Sequence, residues 1–322
     1  MQKAVIILLF LFLFSCKNLQ DSKVDYNEIL FLSSEVDRAI SFNYIEEIFS
    51  ESLYTPTQEF LYKTKWIKPD EFKKYLNYRN LIFISIAEPK DSTIDILVDN
   101  FRSSYKEDIF MLNDVYAKNQ ALLLLSFKDS IDMVNTLSAN QNWILYNIDE
   151  NISKNMDFYM YRNGRNIDLE KKIDEYYNLN TKIQNDYMVI KDHFLDDKFI
   201  WIGRGYPYRW ITIEKNNYLD EGIIWYDFKE SISKNMPNVK IVDYYKNILY
   251  ESDDIIKIQG LYEEEFSDSG GPFLSYVWID RNLQETFFVT GFVNNPGKSK
   301  ARLLKEMEIQ IKNIIINDEN EK

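Results

Sequence analysis

The run Asp268–Pro272 has the spacing of reactive residues that most suggests catalysis in this chain, because it reads Asp-Ser-Gly-Gly-Pro. Chymotrypsin-like proteases carry a similar turn, in which a histidine base, oriented by a buried aspartate, activates the serine. The sequence has a single histidine, His193, far before Ser269, and Ser267 replaces the glycine that precedes the aspartate in that family. A protease triad is therefore not expected. Gly270-Gly271-Pro272 instead predicts a sharp backbone corner that leads into a strand.

Four acids near this corner could perform acid–base chemistry or bind a cation. They are the consecutive residues Glu263, Glu264 and Glu265, followed by Asp268. A hydrolase of glycans or peptides needs a pair of carboxyl groups, and Ca²⁺ prefers several carboxylate oxygens. Successive residues of a strand point to opposite faces, so at most two of the three glutamates share one, and no calcium-loop spacing occurs. A solvated strand end is the favoured interpretation.

The other candidate binding residues are isolated. His193 alone cannot form a histidine-rich zinc site, so we expect a polar surface or capping role for it. Arg204 and Arg209 flank Tyr206–Tyr208 and could hold an acidic or aromatic ligand, although packing at a strand end is the simpler interpretation. Gly203-Arg204-Gly205 precedes a β-like run and not a helix, which argues against a dinucleotide site. We predict no cofactor, no metal site and no catalytic residue.

Cys16 is the only cysteine, and it directly follows a short apolar segment. Ala4–Phe14 is too short to span a bilayer, which needs about 20 residues, and Lys3 gives it a positive start. Such a segment is typical of a bacterial lipoprotein signal, in which the thiol is alkylated with diacylglycerol, the chain is cut before the cysteine, and the new amino group receives an acyl chain such as palmitate. We therefore predict lipid attachment at Cys16. An ordinary signal peptide with an incidental cysteine is the alternative.

The charge of the chain restricts its partners. The net charge is −13, and the loss of Lys3 with the signal peptide makes it −13 − 1 = −14. A chain this acidic repels phosphate backbones, so we expect no nucleic acid partner. With Cys16 lipidated, neither a disulfide nor a Cys–His metal site is possible. The 322 − 15 = 307 residues that remain can form one large domain or two moderate ones.

Hydrophobic periodicity predicts an α+β protein. In the first half, strands are predicted at Glu28–Ser33, Leu81–Ala87 and Ala121–Phe127, with helices that begin at Ser34, Ser92, and Asp129 or Ser130. Helical spacing from Ile94 to Tyr116 predicts one long helix over 92–117, whereas 53–66 reads as irregular. This strand–helix order is typical of an α/β-like N-terminal half.

The second half is predicted to be a mainly antiparallel sheet closed by a C-terminal helix. Its short β-rich runs are Tyr187–Lys191, Phe199–Ile202, Trp210–Ile213, Ile223–Tyr226, Ile255–Gln259, Phe273–Ile279 and Phe287–Val293. Both faces of Phe273–Ile279 are apolar, which predicts a central strand covered on both sides. After a turn at Pro296-Gly297, an apolar stripe of Leu304, Met307, Ile311 and Ile314 predicts an amphipathic helix.

These features divide the chain into five predicted segments. A lipoprotein signal peptide (1–15) precedes a polar tether (16–26). An α/β-like half (27–185) and the antiparallel sheet with its helix (186–316) form the body, and a frayed tail (317–322) ends the chain.

The sequence resembles the uncharacterised lipoproteins of Bacteroidetes grouped as domain of unknown function 4837, over about Asn27–Ile316. The motifs that carry the resemblance are Arg79–Ile84, Asp114–Gln120, Phe199–Arg204, Gly260–Tyr262, Gly270–Phe273, and Gly291–Val293 before a helix with Glu308. The sequence departs from the family at Ser269, where methionine is expected, and at Asn294–Pro296. A family that usually lacks this serine does not use it as a nucleophile. The resemblance implies location and fold, and no activity.

Two functions remain open at this point. The favoured one is a non-enzymatic binding or structural lipoprotein, anchored in membrane lipid through acylated Cys16, with an envelope protein or glycan as its partner. The alternative is an envelope hydrolase of glycan or peptide that uses the acids within Glu263–Asp268. Lys17 after the cysteine supplies no aspartate retention signal, which favours the outer membrane of the cell envelope.

Overall fold

The computed structural model describes residues 19–23, 25–53, 55, 57–87, 92–102, 108–217, 221–267, 269–281 and 284–319. The predicted signal peptide 1–15, the predicted lipid-attachment residue Cys16 and the acid Asp268 lie outside these residues. The predicted tether and the predicted tail lie partly outside them.

The secondary structure of the described residues alternates in the first half and is mostly β in the second. In chain order the elements are β1 (Glu28–Leu32), α1 (Glu35–Ile48), β2 (Ser52–Leu53), β3 (Glu59–Phe60), β4 (Lys63–Ile67), a 3₁₀ turn (Pro69–Lys74), β5 (Asn80–Ile86), α2 (Ser92–Arg102), β6 (Ile109–Asn113), β7 (Ala121–Phe127), α3 (Ser130–Met160), α4 (Ile167–Tyr177), β8 (Met188–His193), α5 (Phe194–Asp197), β9 (Phe199–Arg204), β10 (Tyr208–Asn217), a 3₁₀ turn (Glu221–Ile223), α6 (Ile224–Asn235), β11 (Val239–Tyr250), β12 (Ile255–Glu264), β13 (Gly270–Asp280), β14 (Glu285–Asn294) and α7 (Ala301–Glu319). This content of helices and strands matches the predicted α+β class.

The chain forms two compact units. One comprises Met1–Ser50 and Tyr62–Ile152, and the other comprises Glu51–Leu61 and Ser153–Lys322. The division along the sequence therefore falls inside α3, whereas the sequence analysis divides the body at 185/186. Residues between these two positions belong to the second unit because side chains of α4, such as Ile173 and Tyr177, lie in the core of its sheet.

The first unit is built on a five-stranded sheet in the order β4-β1-β5-β7-β6. The first four strands are parallel, and β6 is antiparallel to β7. Strands β5 and β7 are buried along their whole length, which explains their continuous apolar sequences. Helix α1 begins as predicted, because the Ser34 hydroxyl accepts a hydrogen bond of 3.0 Å from the Asp37 amide.

Two predictions for the first half of the chain are wrong. The long helix over 92–117 is instead α2 followed by β6, because the apolar residues after residue 108 pair with β7 as an edge strand. The stretch 53–66 is not irregular, since it contains β3 and most of β4. Strands β6 and β4 form because they pair with β7 and β1, and the spacing of apolar residues within one segment does not show such pairing.

The second unit is built on a seven-stranded sheet in the order β11-β12-β13-β14-β10-β9-β8. All neighbouring strands are antiparallel, as predicted. Strand β13 is central, and its alternate residues enter two different cores. Phe273, Val277 and Ile279 pack on the α6 side, whereas Leu274, Tyr276 and Trp278 pack on the α7 side.

Helix α7 covers β13 and β14 with the predicted stripe of Leu304, Met307, Ile311 and Ile314, all of which are buried. A Cβ at Gly291 of β14 would lie 2.7 Å from the Met307 side chain, so the glycine permits the close helix approach. Two local predictions are wrong. Ile223–Tyr226 contains the start of α6 and is not a strand. Helix α7 ends at Glu319, so it includes the first residues of the segment predicted to be a frayed tail.

Candidate functional site

A concave cavity of about 1090 Å³ opens in the second unit. It lies where the ends of β11, β12 and β13 meet the loop that precedes α7, and we call it the β11–α7 cavity. The predicted acids Glu263–Glu265, Ser269 and Gly270–Gly271 all line it. The structure therefore gathers in one place the three glutamates, Ser269 and the glycine pair, whereas Asp268 lies outside the described residues.

The glycine pair does not form the predicted corner. Gly270 and Gly271 lie within β13 and pair with Glu263 and Tyr262 of β12. A Cβ at Gly270 would lie 2.4 Å from the Tyr262 carbonyl oxygen, and one at Gly271 would lie 2.0 Å from the Val293 carbonyl oxygen. The glycines are needed because the neighbouring backbones approach closely, and the prediction of a turn from Gly-Gly-Pro is wrong.

An irregularity in β11 shapes one side of the cavity. The pairing with β12 shifts between Ile241 and Lys246, so residues 242–245 have no partner on the neighbouring strand. This bulge displays Tyr244 and Tyr245, which are 80% and 46% exposed and whose ring centroids lie 4.8 Å apart. The sequence analysis does not predict β11, because polar residues interrupt the alternation of apolar and polar residues that indicates a half-buried strand.

Two of the three clustered glutamates have partners. The Lys240 ammonium lies 2.8 Å from the Glu265 carboxylate. Glu264 accepts hydrogen bonds from Asn294 Nδ2 at 2.8 Å and from the Ser267 hydroxyl at 2.9 Å. Glu263 is exposed and has no polar side-chain partner among the described residues.

Ser269 has no base. Its hydroxyl accepts a hydrogen bond of 2.9 Å from Asn294 Nδ2. His193 lies on β8, which three strands separate from β13, so the sheet spacing alone places the imidazole on the order of 19 Å away. The ring lies 3.8 Å from the Asp197 carboxylate instead. The single histidine of the sequence therefore does not contact Ser269.

The N-terminus of α7 forms another wall of the cavity. The chain turns at Asn295–Lys298, where Gly297 has a φ of +70° and the Lys298 amide donates to the Asn295 carbonyl at 3.2 Å. The turn predicted at Pro296-Gly297 is thus confirmed. The first amides of α7 then meet Glu59 of β3, whose Oε2 accepts from the Ser299 hydroxyl at 2.6 Å, the Lys300 amide at 2.7 Å and the Ala301 amide at 3.0 Å.

Lys300 lines the same cavity and is unusually buried for a lysine, with 7% of its surface exposed. Its ammonium donates to the Lys298 carbonyl oxygen at 2.9 Å. In the described parts of the chain no carboxylate lies within ion-pair distance of it. Among the described residues, a lysine therefore borders the cavity with a backbone carbonyl and not a carboxylate as its partner.

Arg204 and Arg209 are committed to other residues. Arg204 pairs with Asp186 and donates to Gln184 at 2.8 Å. Arg209 is buried and pairs with Glu306 of α7. Both guanidinium groups thus tie elements of the second unit together, which agrees with the packing interpretation and not with a ligand site.

Comparison with known proteins finds a family model that matches the part of the chain that forms most of the cavity. Residues 229–313 match the model of the family described as domain of unknown function (DUF4837). This confirms the resemblance to domain of unknown function 4837, over a shorter stretch than Asn27–Ile316. The DUF4837 match contains β11–β14, the loop after β14 and most of α7, and so it includes most of the cavity wall but not Glu59.

Other comparisons add no functional information. A mutant of the protein Mog1 is 8% identical, with 43% of this chain and 88% of that chain covered and a TM-score of 0.30. A crystal structure from Bacteroides thetaiotaomicron is 14% identical, covers 41% of this chain and 42% of that chain, and has a TM-score of 0.20. No curated protein matches the chain.

Two classes of site are not found within the described residues. None of the helices there is both long enough and apolar enough to cross a membrane. No group of three or more potential metal-ligating acids, histidines or cysteines occurs there either.

Glu308, which lies within the DUF4837 match, holds α7 to the sheet through charge. Its carboxylate lies 2.6 Å from the Lys257 ammonium, 3.1 Å from Lys305 and 3.7 Å from Lys312, and it accepts a hydrogen bond of 2.9 Å from the Tyr276 hydroxyl. Burial opposes ionisation, but the three lysine charges outweigh it and hold the pKa of Glu308 well below its usual value.

We expect Glu308→Gln to lower the free energy of unfolding by about 2 kcal/mol at pH 7, because three lysines would lose their carboxylate. A carboxyl whose pKa is depressed in the folded state stabilises above its unfolded pKa, and the effect is lost as the pH falls through the folded value. The difference between wild type and variant should therefore shrink below about pH 4. Urea denaturation at pH 7 and pH 3 measures it. Glu230→Gln, at an exposed position of α6, is the control and should change little.

Glu214 is a second buried acid that the sequence analysis missed. Burial raises its pKa to about 7. The Ser231 hydroxyl of α6 and Asn216 Nδ2 donate hydrogen bonds to its carboxylate. Because Glu214 does not line the β11–α7 cavity, we assign it to the packing of α6 on β10 and not to the site.

Proposed function

We propose that this protein is a lipid-anchored, non-enzymatic binding module of the bacterial cell envelope, and that the β11–α7 cavity is its ligand site. The cavity itself is the observation that supports the proposal. A volume of about 1090 Å³ is at the upper end of the usual size of small-ligand sites. Its lining combines two exposed tyrosines with lysines and glutamates, so it offers both apolar contacts and charge recognition.

The anchor is proposed from the sequence alone. An acylated Cys16 would hold the unit at a membrane surface, and the short polar tether would let the cavity face the envelope space. The outer membrane is the proposed location. The partner would then be an envelope protein or glycan.

A hydrolase is the second candidate, because Glu263, Glu264 and Ser269 line one cavity. Two observations argue against it. The Glu264 carboxylate accepts hydrogen bonds from Asn294 and Ser267. The single histidine lies on β8, which three strands separate from the strand that follows Ser269. A serine-reactive fluorophosphonate probe should therefore leave Ser269 unlabelled, and labelling at Ser269 would support the hydrolase instead.

Site-specific photocrosslinking in intact envelopes tests the binding proposal. A benzoylphenylalanine residue placed at Tyr244, in the cavity, should form a discrete adduct. The same residue at Tyr226, which is 66% exposed on α6 and does not line the cavity, is the matched control and should not form that adduct. Equal adducts at both positions, or none at Tyr244, would argue against the cavity as the ligand site.

A further inference from the structure

The chain joins the first unit at the end of its sheet where the parallel strands begin. The Lys118 amide donates to the Gln20 carbonyl oxygen at 2.9 Å, and the Ser22 amide donates to the Lys118 carbonyl oxygen at 3.0 Å. The Lys23 amide then donates to the Asn77 carbonyl oxygen at 2.8 Å. These partners come shortly before β7 and β5. We call this end of the sheet the amino edge, and it comprises residues 20–23, 25–27, 63, 75–79 and 113–120.

Side chains strengthen this attachment. The buried Arg79 donates from Nη2 to the Ser22 carbonyl oxygen at 3.2 Å, and Ser22 Oγ donates to the Asn119 carbonyl oxygen at 3.3 Å. The chain is therefore fixed to the first unit from Gln20 onward, only 20 − 16 = 4 positions after Cys16. An extended chain spans at most about 3.6 Å per residue, so Cys16 can lie no farther than about 14 Å from Gln20.

The charged side chains of the amino edge differ in length. Its exposed lysines are Lys23, Lys63 and Lys118, and its exposed acids are Asp21, Asp25 and Asp114. These six charges cancel, whereas the chain as a whole carries −13. A lysine ammonium stands on a four-carbon stem and reaches farther from the backbone than an aspartate carboxylate does, so a layer of phosphate groups would meet the lysines first.

Two of these lysines are available to a partner. Lys63 lies 3.5 Å from the Asp25 carboxylate. Within the described part of the chain, by contrast, no carboxylate lies within ion-pair distance of the Lys23 or the Lys118 ammonium. The amino edge therefore presents two exposed ammonium groups next to the place where the chain leaves for Cys16.

Partly exposed tyrosines accompany the lysines at the amino edge. They are Tyr26, Tyr75 and Tyr78. The Lys65 ammonium lies 4.3 Å from the ring centroid of Tyr75, and Arg79 Cζ lies 4.4 Å from that of Tyr26. Tyrosine is enriched at membrane–water interfaces, because its ring is apolar and its hydroxyl is polar. The edge thus combines the two residue types that suit a headgroup layer.

The short reach of the chain decides which charges matter at a bilayer. Charges that are separated by more than a Debye length, about 8 Å at physiological ionic strength, are largely screened from each other. The net charge of −13 is distributed over the whole chain, so most of it cannot repel headgroups that lie beside the amino edge. The local charges of that edge therefore determine the interaction.

We propose that the amino edge of the first unit rests on phospholipid headgroups, with the Lys23 and Lys118 ammonium groups on lipid phosphates. The inference rests on the proposed function, because Cys16 must carry the acyl chains. It adds the surface that meets the membrane and the orientation of the first unit. The opposite ends of the parallel strands, where β7 ends at Phe127, point away from the bilayer.

Fluorescence quenching tests the orientation. The acylated mature protein, in vesicles of phosphatidylethanolamine and phosphatidylglycerol, carries bimane on one introduced cysteine, because acylation blocks the thiol of Cys16. Asn113→Cys places the label at the start of β7, since Asn113 pairs with Ala121, and Lys128→Cys places it after the end of that strand. Both positions are exposed. At about 3.3 Å per residue, the strand separates the two labels by about 23 Å. A nitroxide on the lipid headgroup should quench most of the fluorescence at Asn113→Cys and little at Lys128→Cys.

A single acyl chain makes the contribution of the lysines measurable. The mature protein produced without acylation has one thiol, at Cys16, which can be alkylated with one myristoyl-length chain, and such a chain alone gives only marginal, reversible binding. Lys23→Gln and Lys118→Gln should each weaken binding to phosphatidylglycerol vesicles by about fivefold, which corresponds to about 1 kcal/mol. Lys128→Gln, an equally exposed lysine at the far end of β7, is the matched control and should leave binding within about twofold of wild type.

Equal quenching at the two labelled positions would overturn the proposal. Unchanged vesicle binding in both Lys23→Gln and Lys118→Gln, or an equal loss in Lys128→Gln, would overturn it as well. Mass spectrometry of the mature N-terminus separates this inference from the proposed function. An N-terminus without acyl chains would contradict both, whereas equal quenching in a protein shown to be acylated would contradict this inference alone.

Discussion

Gly271→Ala should lower the free energy of unfolding of the second unit by about 3 kcal/mol. The new Cβ would lie 2.0 Å from the Val293 carbonyl oxygen, and a backbone atom of a central strand cannot move aside as a flexible side chain can. Strand β13 would have to shift away from its neighbours, at the cost that overpacking carries in cores. Urea denaturation followed by tryptophan fluorescence measures the change, because Trp201, Trp210, Trp225 and Trp278 belong to the second unit.

Gly205→Ala is the matched control. A Cβ added at this position would have no heavy atom within 4 Å, and the residue does not have a left-handed backbone conformation. We expect a change of less than about 0.5 kcal/mol there. A Gly271→Ala variant as stable as Gly205→Ala would show that β13 and β14 are not packed as closely as described.

The fold was predictable where a residue's own sequence neighbourhood determines its environment. Both apolar faces of Phe273–Ile279 are visible in the sequence, and that strand is central. The stripe of α7 repeats at helical spacing, and Ser34 provides the cap of α1 by itself. In each case the burial pattern and the local geometry agree, so no distant contact has to be known.

The errors arise where distant residues decide the structure. Gly270 and Gly271 read as a turn because glycine permits many conformations, whereas the carbonyl groups of β12 and β14 fix them in a strand. The cavity wall also depends on distance along the chain. Glu59 and Lys300 are separated by 241 positions, and no local pattern in either segment indicates that a carboxylate meets the first amides of α7.

The acid cluster shows the same limitation at the level of chemistry. The alternation of side chains along a strand predicts that at most two of Glu263, Glu264 and Glu265 share a face. The structure agrees, because Lys240 pairs with Glu263 in the sheet and its ammonium contacts Glu265, which indicates that these two glutamates lie on one face. Spacing does not show that Asn294 engages Glu264. Whether an acid is free for catalysis depends on such partners, which Glu264 has and Glu263 lacks among the described residues.

Cys16→Ser should transfer nearly all of the protein from the membrane fraction to the soluble fraction. The hydroxyl of serine is a much weaker nucleophile than a thiolate, so no diacylglycerol would be attached. Each buried methylene contributes about 0.8 kcal/mol, so several long acyl chains bind far more strongly than any contact of an acidic body with anionic headgroups. Fractionation of cells with immunoblotting measures the distribution, and mass spectrometry of the mature N-terminus should find the acyl chains on wild type alone.

Lys17→Ser, next to the attachment site, is the control and should remain in the membrane fraction. A Cys16→Ser protein that stays with the membrane would show that the body binds the membrane without the lipid, and the proposed anchor would have to be abandoned.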